Sequence, residues 1–254
     1  MRIILSPAKK MRRDSDAPFS LTLPRFSDDA AYLTKTLKSM SPGELKKLWG
    51  AGDKVTREAM AYLDAFDPDL PQTAAMLAYD GIAFRYMAPN VFEDRMVDYV
   101  QEHLRIISGL YGVLRPLDGV SPYRLEMQAK LKIGDNRDLY AFWQDRLAKT
   151  LFSETDCILN LASKEYSICV SRYLPDSVRF ITCVFGEEKN GRVIEKGTMC
   201  KMARGEMVRF LAEQGIDAPE KIRSFNRLHY QFDETHSDEN TYVFLRDVRG
   251  ETDD

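Results

Sequence analysis

Residues 157–174 read CILNLASKEYSICVSRYL. Cys157–Leu161 is an apolar run of strand length, and ASKEYSICVSRYL after it reads as a helix. A buried strand that feeds straight into a helix is the unit from which helix-covered sheets are built. Working outward, Arg2–Leu5 reads as a second short buried strand. Val178–Phe185 and Arg192–Met199 flank Lys189-Asn190-Gly191, and Asn-Gly between two strand patterns signals a hairpin. Thr241–Arg246 reads as a closing strand.

Helical spacing fills much of the remainder. Ala31, Leu33 and Leu37 mark a helix over 28–38. SPGEL at 41–45 supplies a cap (Ser41), a proline at the first helical position and a capping-box glutamate (Glu44). Gly50 ends that helix, and another is expected from Asp53 to Phe66. Phe92, Met96, Val97, Val100, Leu104 and Ile107 form one stripe, which predicts a helix over 92–107. Residues 139–151, 200–213 and 219–225 read as helical, 72–78 as helix or strand, and 108–127 as a close-packed loop region. Residues 12–27 are polar and irregular, and DPDLP at 67–71 is a turn. The class expected is α+β, one mixed α/β domain across residues 1–254 with a helical lobe at about 28–70.

The chain has 254 residues and a formal net charge of −3, so any nucleic-acid site must be a local basic patch. The apolar run near the start, Ile3–Leu5, is too short for a signal-peptide core, and no stretch approaches the ~20 apolar residues of a membrane span. Cys157, Cys169, Cys183 and Cys200 form no C-x-x-C pair; they are expected as reduced, mostly buried thiols of a cytoplasmic protein.

LWGAGDKVTREAMAYL at 48–63 places Gly50 and Gly52 around Ala51 between two helical patterns. The arrangement resembles the helix-hairpin-helix of DNA-binding proteins. Its free amides can donate to a phosphate, with Lys47, Lys54 and Arg57 adding charge. Trp49 and Ala51 depart from the usual hairpin residues. The plainer reading is a helical hairpin with a glycine C-cap and a solvated charged face.

A second group of cations is Lys9, Arg115, Arg124, Lys164, Lys201 and Arg204. SPAKK follows a strand but lacks the glycines of a P-loop. Arg115 and Arg124 lie in apolar surroundings and need a carboxylate or an anion, Glu126 being a candidate for Arg124. Lys201 and Arg204 are three apart on one helix face. Structural ion pairs and solvated faces explain such residues individually; a shared cationic cleft for phosphates explains them together. No catalytic residue, metal site or cofactor fingerprint is recognised: His103, His229 and His236 stand in no HExxH, GxSxG or Cys-His arrangement.

SPAKKM, LRIISGLYGVLRPLDGVSPYRLEM, LNLASKEY, KMARGEMVRF and HYQFDE follow one another in an order that resembles the YaaA family of bacterial peroxide-stress proteins. The resemblance implies an unusual single-domain α+β topology, a cytoplasmic location, a positively charged cleft and a helix-hairpin-helix element. It also implies binding to duplex and distorted DNA, and protection from hydrogen peroxide through control of free iron; no base-reading helix is recognisable, so DNA contact independent of sequence is expected. The alternative is an enzyme acting on a small phosphorylated or nucleotide-like ligand in the basic cleft.

Overall fold

The computed structural model describes residues 1–13, 19–67 and 73–247. Strand β1 (Arg2–Leu5) is followed by helices α1 (Ser27–Lys38), α2 (Pro42–Trp49) and α3 (Asp53–Asp64). Strand β2 (Thr73–Ala74), short helices α4 (Ala75–Ala78) and α5 (Ile82–Met87), and α6 (Asp94–His103) lead to β3 (Leu104–Ser108). Next come β4 (Gly112–Leu114), β5 (Gly119–Val120), α7 (Leu139–Trp143) and α8 (Arg146–Phe152), then β6 (Cys157–Asn160) and α9 (Lys164–Ser171). The chain closes with β7 (Arg179–Lys189), β8 (Arg192–Ile194), α10 (Gly197–Gln214), β9 (Tyr230–Asp233) and β10 (Thr241–Arg246).

The main sheet runs β4-β3-β1-β6-β7-β10-β9, with β8 paired to the far end of β7. β3, β1, β6, β7 and β10 are mutually parallel, whereas β4, β9 and β8 pair antiparallel. Every residue of β3 and all but the first of β1 and β6 are buried. Successive strand side chains point to opposite faces, so unbroken burial means that both faces are covered. The α+β expectation holds, and its centre is a parallel sheet. Counting only the parallel strands, chain order gives 2-1-3-4-5, a doubly wound arrangement whose direction of winding reverses between β1 and β6.

The helical lobe begins as the sequence indicates. The Ser41 hydroxyl accepts from the Glu44 amide, and the Glu44 carboxylate accepts from the Ser41 amide at 2.8 Å. The Ser41 hydroxyl also donates to the Glu44 carboxylate at 2.7 Å, and this bond, with the one from the Ser41 amide, holds Glu44 below the usual carboxylate range. Leu45, Trp49, Ala59 and Leu63 turn inward, joining α2 and α3 to the main core.

Three sequence expectations need correction; the first is the single helix expected over 139–151, which breaks at Gln144 (φ 47°) into α7 and α8. The helix expected over 92–107 stops at His103, and Leu104–Ser108 is instead the wholly buried β3, pairing Leu104–Ile106 with Ile3–Leu5. A continuous apolar run satisfies helix and strand alike; pairing with β1 decides it. The strand expected over Arg192–Met199 ends at Ile194, because α10 begins at Gly197. Much of the turn expected at 67–71 and part of the 12–27 stretch lie outside the described residues.

Candidate functional site

Where β1 and β6 part company, their carboxyl ends leave a crevice. Doubly wound sheets place ligands at this position, because the two following loops must diverge to opposite faces. After β1 the chain runs Ser6-Pro7-Ala8-Lys9-Lys10, and after β6 it runs Leu161-Ala162-Ser163 into α9. The Ser6 hydroxyl ties the two loops together: it accepts from the Ser163 amide at 2.8 Å and donates to the Ser163 hydroxyl at 3.2 Å. The resulting cleft has a volume of about 530 Å³. Apolar groups of Leu5, Ala8, Ile82, Phe84, Leu161 and Tyr166 line it, together with Lys9, Lys201, Arg204 and Glu165.

α10 reaches the cleft through one close contact. A Cβ at Gly205 would stand 1.9 Å from the carbonyl oxygen of Ala83, so only glycine lets α10 lie against the backbone of α5. That contact sets the neighbouring Arg204 at the cleft wall.

The charges divide into engaged and free. Lys9 Nζ lies 3.3 Å from Glu126 Oε1, and Arg124 donates to the same oxygen at 3.1 Å. Glu126 is thus the partner of Arg124 that the sequence suggested. Lys10 pairs with Asp80 at 2.7 Å. Among the described residues, Lys201 and Arg204 make no salt bridge, and the Nε of Arg204 is buried without a hydrogen-bond partner. Glu165 faces the same space and accepts from the Gln128 amide at 3.3 Å. Burial pushes its carboxyl up, outweighing that hydrogen bond.

The six cations grouped from sequence therefore do not all meet. Lys9, Lys201 and Arg204 line one cleft. Lys164 opens α9 beside it, exposed and outside the lining. Arg124 sits behind Glu126, next to a small gap bordered by Trp49 and Leu37. Arg115 belongs elsewhere. β4 runs antiparallel to β3 from Gly112 opposite Ser108 to Leu114 opposite Ile106, so the chain returns toward the amino ends of the parallel strands. There Arg115 shares a separate pocket of about 230 Å³ with Arg105, Asp118 and Glu154. A larger, shallower depression of about 670 Å³ lies at that same end, beside Asp156 and Asp176. Its one lining cation, Arg179, is already bound to Glu220 at 3.1 Å.

Glu165 and the Ser6–Ser163 clasp do not stand out in the sequence as site residues. The one available signal was LNLASKEY itself, a buried strand delivering a helix start. His103, expected on a polar face, is half-buried: its Nδ1 lies 2.9 Å from the Met1 carbonyl oxygen, and its ring packs on Tyr99. All four cysteines are free, three of them buried and Cys157 half-buried.

The hairpin between α2 and α3 is a second basic feature. Gly50 has φ 53°, the left-handed C-cap that favours glycine, and its amide donates to the Lys47 carbonyl. Gly52 has φ −70° and ψ 165°, which any residue adopts. A Cβ on either glycine would meet nothing within 4 Å. The start of α3 has no side-chain cap. Lys47, Lys54 and Arg57 are exposed and form no salt bridge among the described residues, while Lys46 is held by Asp53.

Fold and site together define a class: a mixed α/β protein with a part-cationic cleft at the winding reversal and a separate basic helical hairpin. The chain belongs to the peroxide stress protein YaaA family, whose model matches residues 1–236. It is 49% identical over 248 residues to a UPF0246 protein of Agathobacter rectalis, covering 98% of this chain and 100% of the relative. A UPF0246 protein of Lachnoclostridium phytofermentans is also 49% identical, over 97% of this chain and 96% of its own length. The counterpart in Lactiplantibacillus plantarum is 46% identical over 96% of this chain and 99% of its own. Membership of this family gives the protein a role in peroxide stress. Among the described residues, no helix is long and apolar enough to cross a membrane.

Proposed function

We propose that the protein serves the peroxide stress response in the cytoplasm as a DNA-binding protein that shields DNA from oxidative damage. The observation that carries this reading is the α2–α3 hairpin. Three exposed cations that form no salt bridge among the described residues, Lys47, Lys54 and Arg57, lie about a helix start without a side-chain cap, with Asp53 as the acidic neighbour of Arg57. Such a surface suits phosphates and carries no means of reading bases, so contact is with the backbone, and duplex and distorted DNA are both substrates. Control of intracellular free iron belongs to the same reading, and it rests on family resemblance. No group of three or more His, Cys, Asp or Glu side chains is placed for a metal among the described residues.

Gly52 offers a clean test. A Cβ there meets nothing within 4 Å and the φ is ordinary, so Gly52→Val is expected to fold but to block close approach of a phosphate. For wild type on a labelled duplex, the expected Kd is on the order of 10⁻⁴ to 10⁻⁶ M at physiological salt. Lys54→Ala should weaken binding equally on unrelated sequences and flatten the log K against log salt slope by ~0.9. Gly52→Val should weaken it further while keeping the wild-type circular dichroism. A folded Gly52→Val with undiminished affinity would reduce the hairpin to a connector.

A further inference from the structure

We propose that the cleft at the winding reversal binds a nucleoside monophosphate. Its phosphate sits on Lys201 and Arg204, its base lies on the apolar wall of Ile82, Phe84 and Tyr166, and Glu165 accepts from its hydroxyls. This site is separate from the hairpin and does not depend on the DNA reading.

Four observations converge. The place is one where a parallel sheet of this order opens a crevice, between the carboxyl ends of β1 and β6. The volume of about 530 Å³ lies within the range of small-molecule pockets, and its wall is largely apolar with a few convergent polar groups. The cations are unequally committed. Lys9 and Lys10 are offset by Glu126 and Asp80, whereas Lys201 and Arg204, three apart on α10, have no carboxylate among the described residues. A half-buried guanidinium with a dehydrated, unpartnered Nε is costly unless an anion completes it. Finally, the cleft is polar in direction. α10 contributes both cations without a salt bridge, and α9 contributes a carboxyl, Glu165, that forms no salt bridge among the described residues and has Lys9 as its nearby charge.

The last point selects the ligand class. A lone phosphate would use the α10 side and leave the apolar wall wet. An uncharged nucleoside would leave Arg204 unsatisfied. A molecule with a dianion at one end, hydroxyls between and a flat apolar ring fits all three parts. Opposite charges on α10 and α9 fix its orientation, because Glu165 repels phosphate and accepts from ribose hydroxyls. The same chemistry exists free in solution and at a 5′-phosphorylated DNA end; the free mononucleotide is the ligand proposed, because a cleft of about 530 Å³ with two cations unpaired among the described residues suits one nucleotide carrying one phosphate.

Isothermal titration calorimetry on the whole chain tests this with AMP, dTMP, adenosine, inorganic phosphate, and a short DNA hairpin with and without a 5′-phosphate. At least one mononucleotide should bind about tenfold or more tightly than adenosine and inorganic phosphate. Arg204→Gln and Lys201→Gln should each weaken it about tenfold or more. Lys201 is exposed, so its variant keeps the fold even if the Arg204 variant does not. Lys54→Ala should leave nucleotide binding unchanged, which separates this site from the hairpin. Three results would overturn the proposal: no heat from either mononucleotide at millimolar concentration, binding indifferent to both substitutions, or inorganic phosphate binding as well as the nucleotides. Preference for the 5′-phosphorylated hairpin over every free mononucleotide would reassign the cleft to DNA ends.

Discussion

The α2–α3 hairpin and the cleft at the winding reversal are both basic, yet they are built in opposite ways. The hairpin is local: the seventeen consecutive residues Ser41 to Arg57 hold its glycines, its cap and its charges, and Lys47, Lys54 and Arg57 stand in water. The cleft is assembled from β1, α5, α9 and α10, whose contributing residues span positions 5 to 204, and its Arg204 is half-buried. Exposed charges cost little to maintain and act through long-range, salt-sensitive attraction. A dehydrated charge costs more and acts at short range on one kind of group. The contrast teaches that the hairpin tolerates change and the cleft does not.

Glycine substitution should break the symmetry between the two most strongly. Gly205→Ala drives a Cβ against the Ala83 carbonyl oxygen. Overpacking against backbone costs ~3 kcal/mol, helix propensity returns ~1, and the net loss is about 2 kcal/mol. Gly52→Ala meets open space at an ordinary φ. A weaker N-cap opposes the gain in chain entropy there, leaving the change within about 0.5 kcal/mol of zero. Urea midpoints measure both; equal losses would show that the two regions are packed alike.

A smaller effect should sharpen the comparison through pH. Glu44 in the hairpin is held low by Ser41, so its ionised form contributes stability above the ordinary carboxylate range, and this is lost as pH falls through its folded pKa. Glu165 in the cleft is held high by burial, so its ionised form costs stability at neutral pH, and the cost disappears as pH falls below the ordinary range. Glu44→Gln should therefore lower the thermal midpoint at pH 7, and Glu165→Gln should raise it. Both differences should shrink toward pH 4. Shifts of the same sign at pH 7 would contradict the two environments.

Legibility followed the same division. Ser41, Pro42, Glu44 and Gly50 announced the limits of α2, because caps act within one turn. Cys157–Leu161 announced β6, and Arg2–Leu5 announced β1, as apolar runs. Leu104–Ile107 did not announce β3: Val97, Val100, Leu104 and Ile107 keep helical spacing, and only pairing with Ile3–Leu5 makes the last part a strand. In the cleft, the three-residue spacing of Lys201 and Arg204 was readable, and so was the Arg124–Glu126 pair. That Lys9 joins Lys201 and Arg204 while Arg115 is carried to the other end of the sheet follows from strand order and direction, which no short spacing encodes. Glu165 was missed for the same reason, being an ordinary helical glutamate until the strand order sets it in a crevice.

The four cysteines have a consequence for how the protein lives with its chemistry. Burial pushes all of their thiols up, Cys169 to about 12, and the charge of Arg204 near Cys183 and Cys200 does not offset it. Peroxide attacks thiolates, so these sulfurs are poor targets. After exposure to a modest excess of hydrogen peroxide and then denaturation, the chain should still show four titratable thiols; loss of one at the rate of an ionised thiol would disprove this. Thiols so placed are shielded from the oxidant rather than poised to sense it.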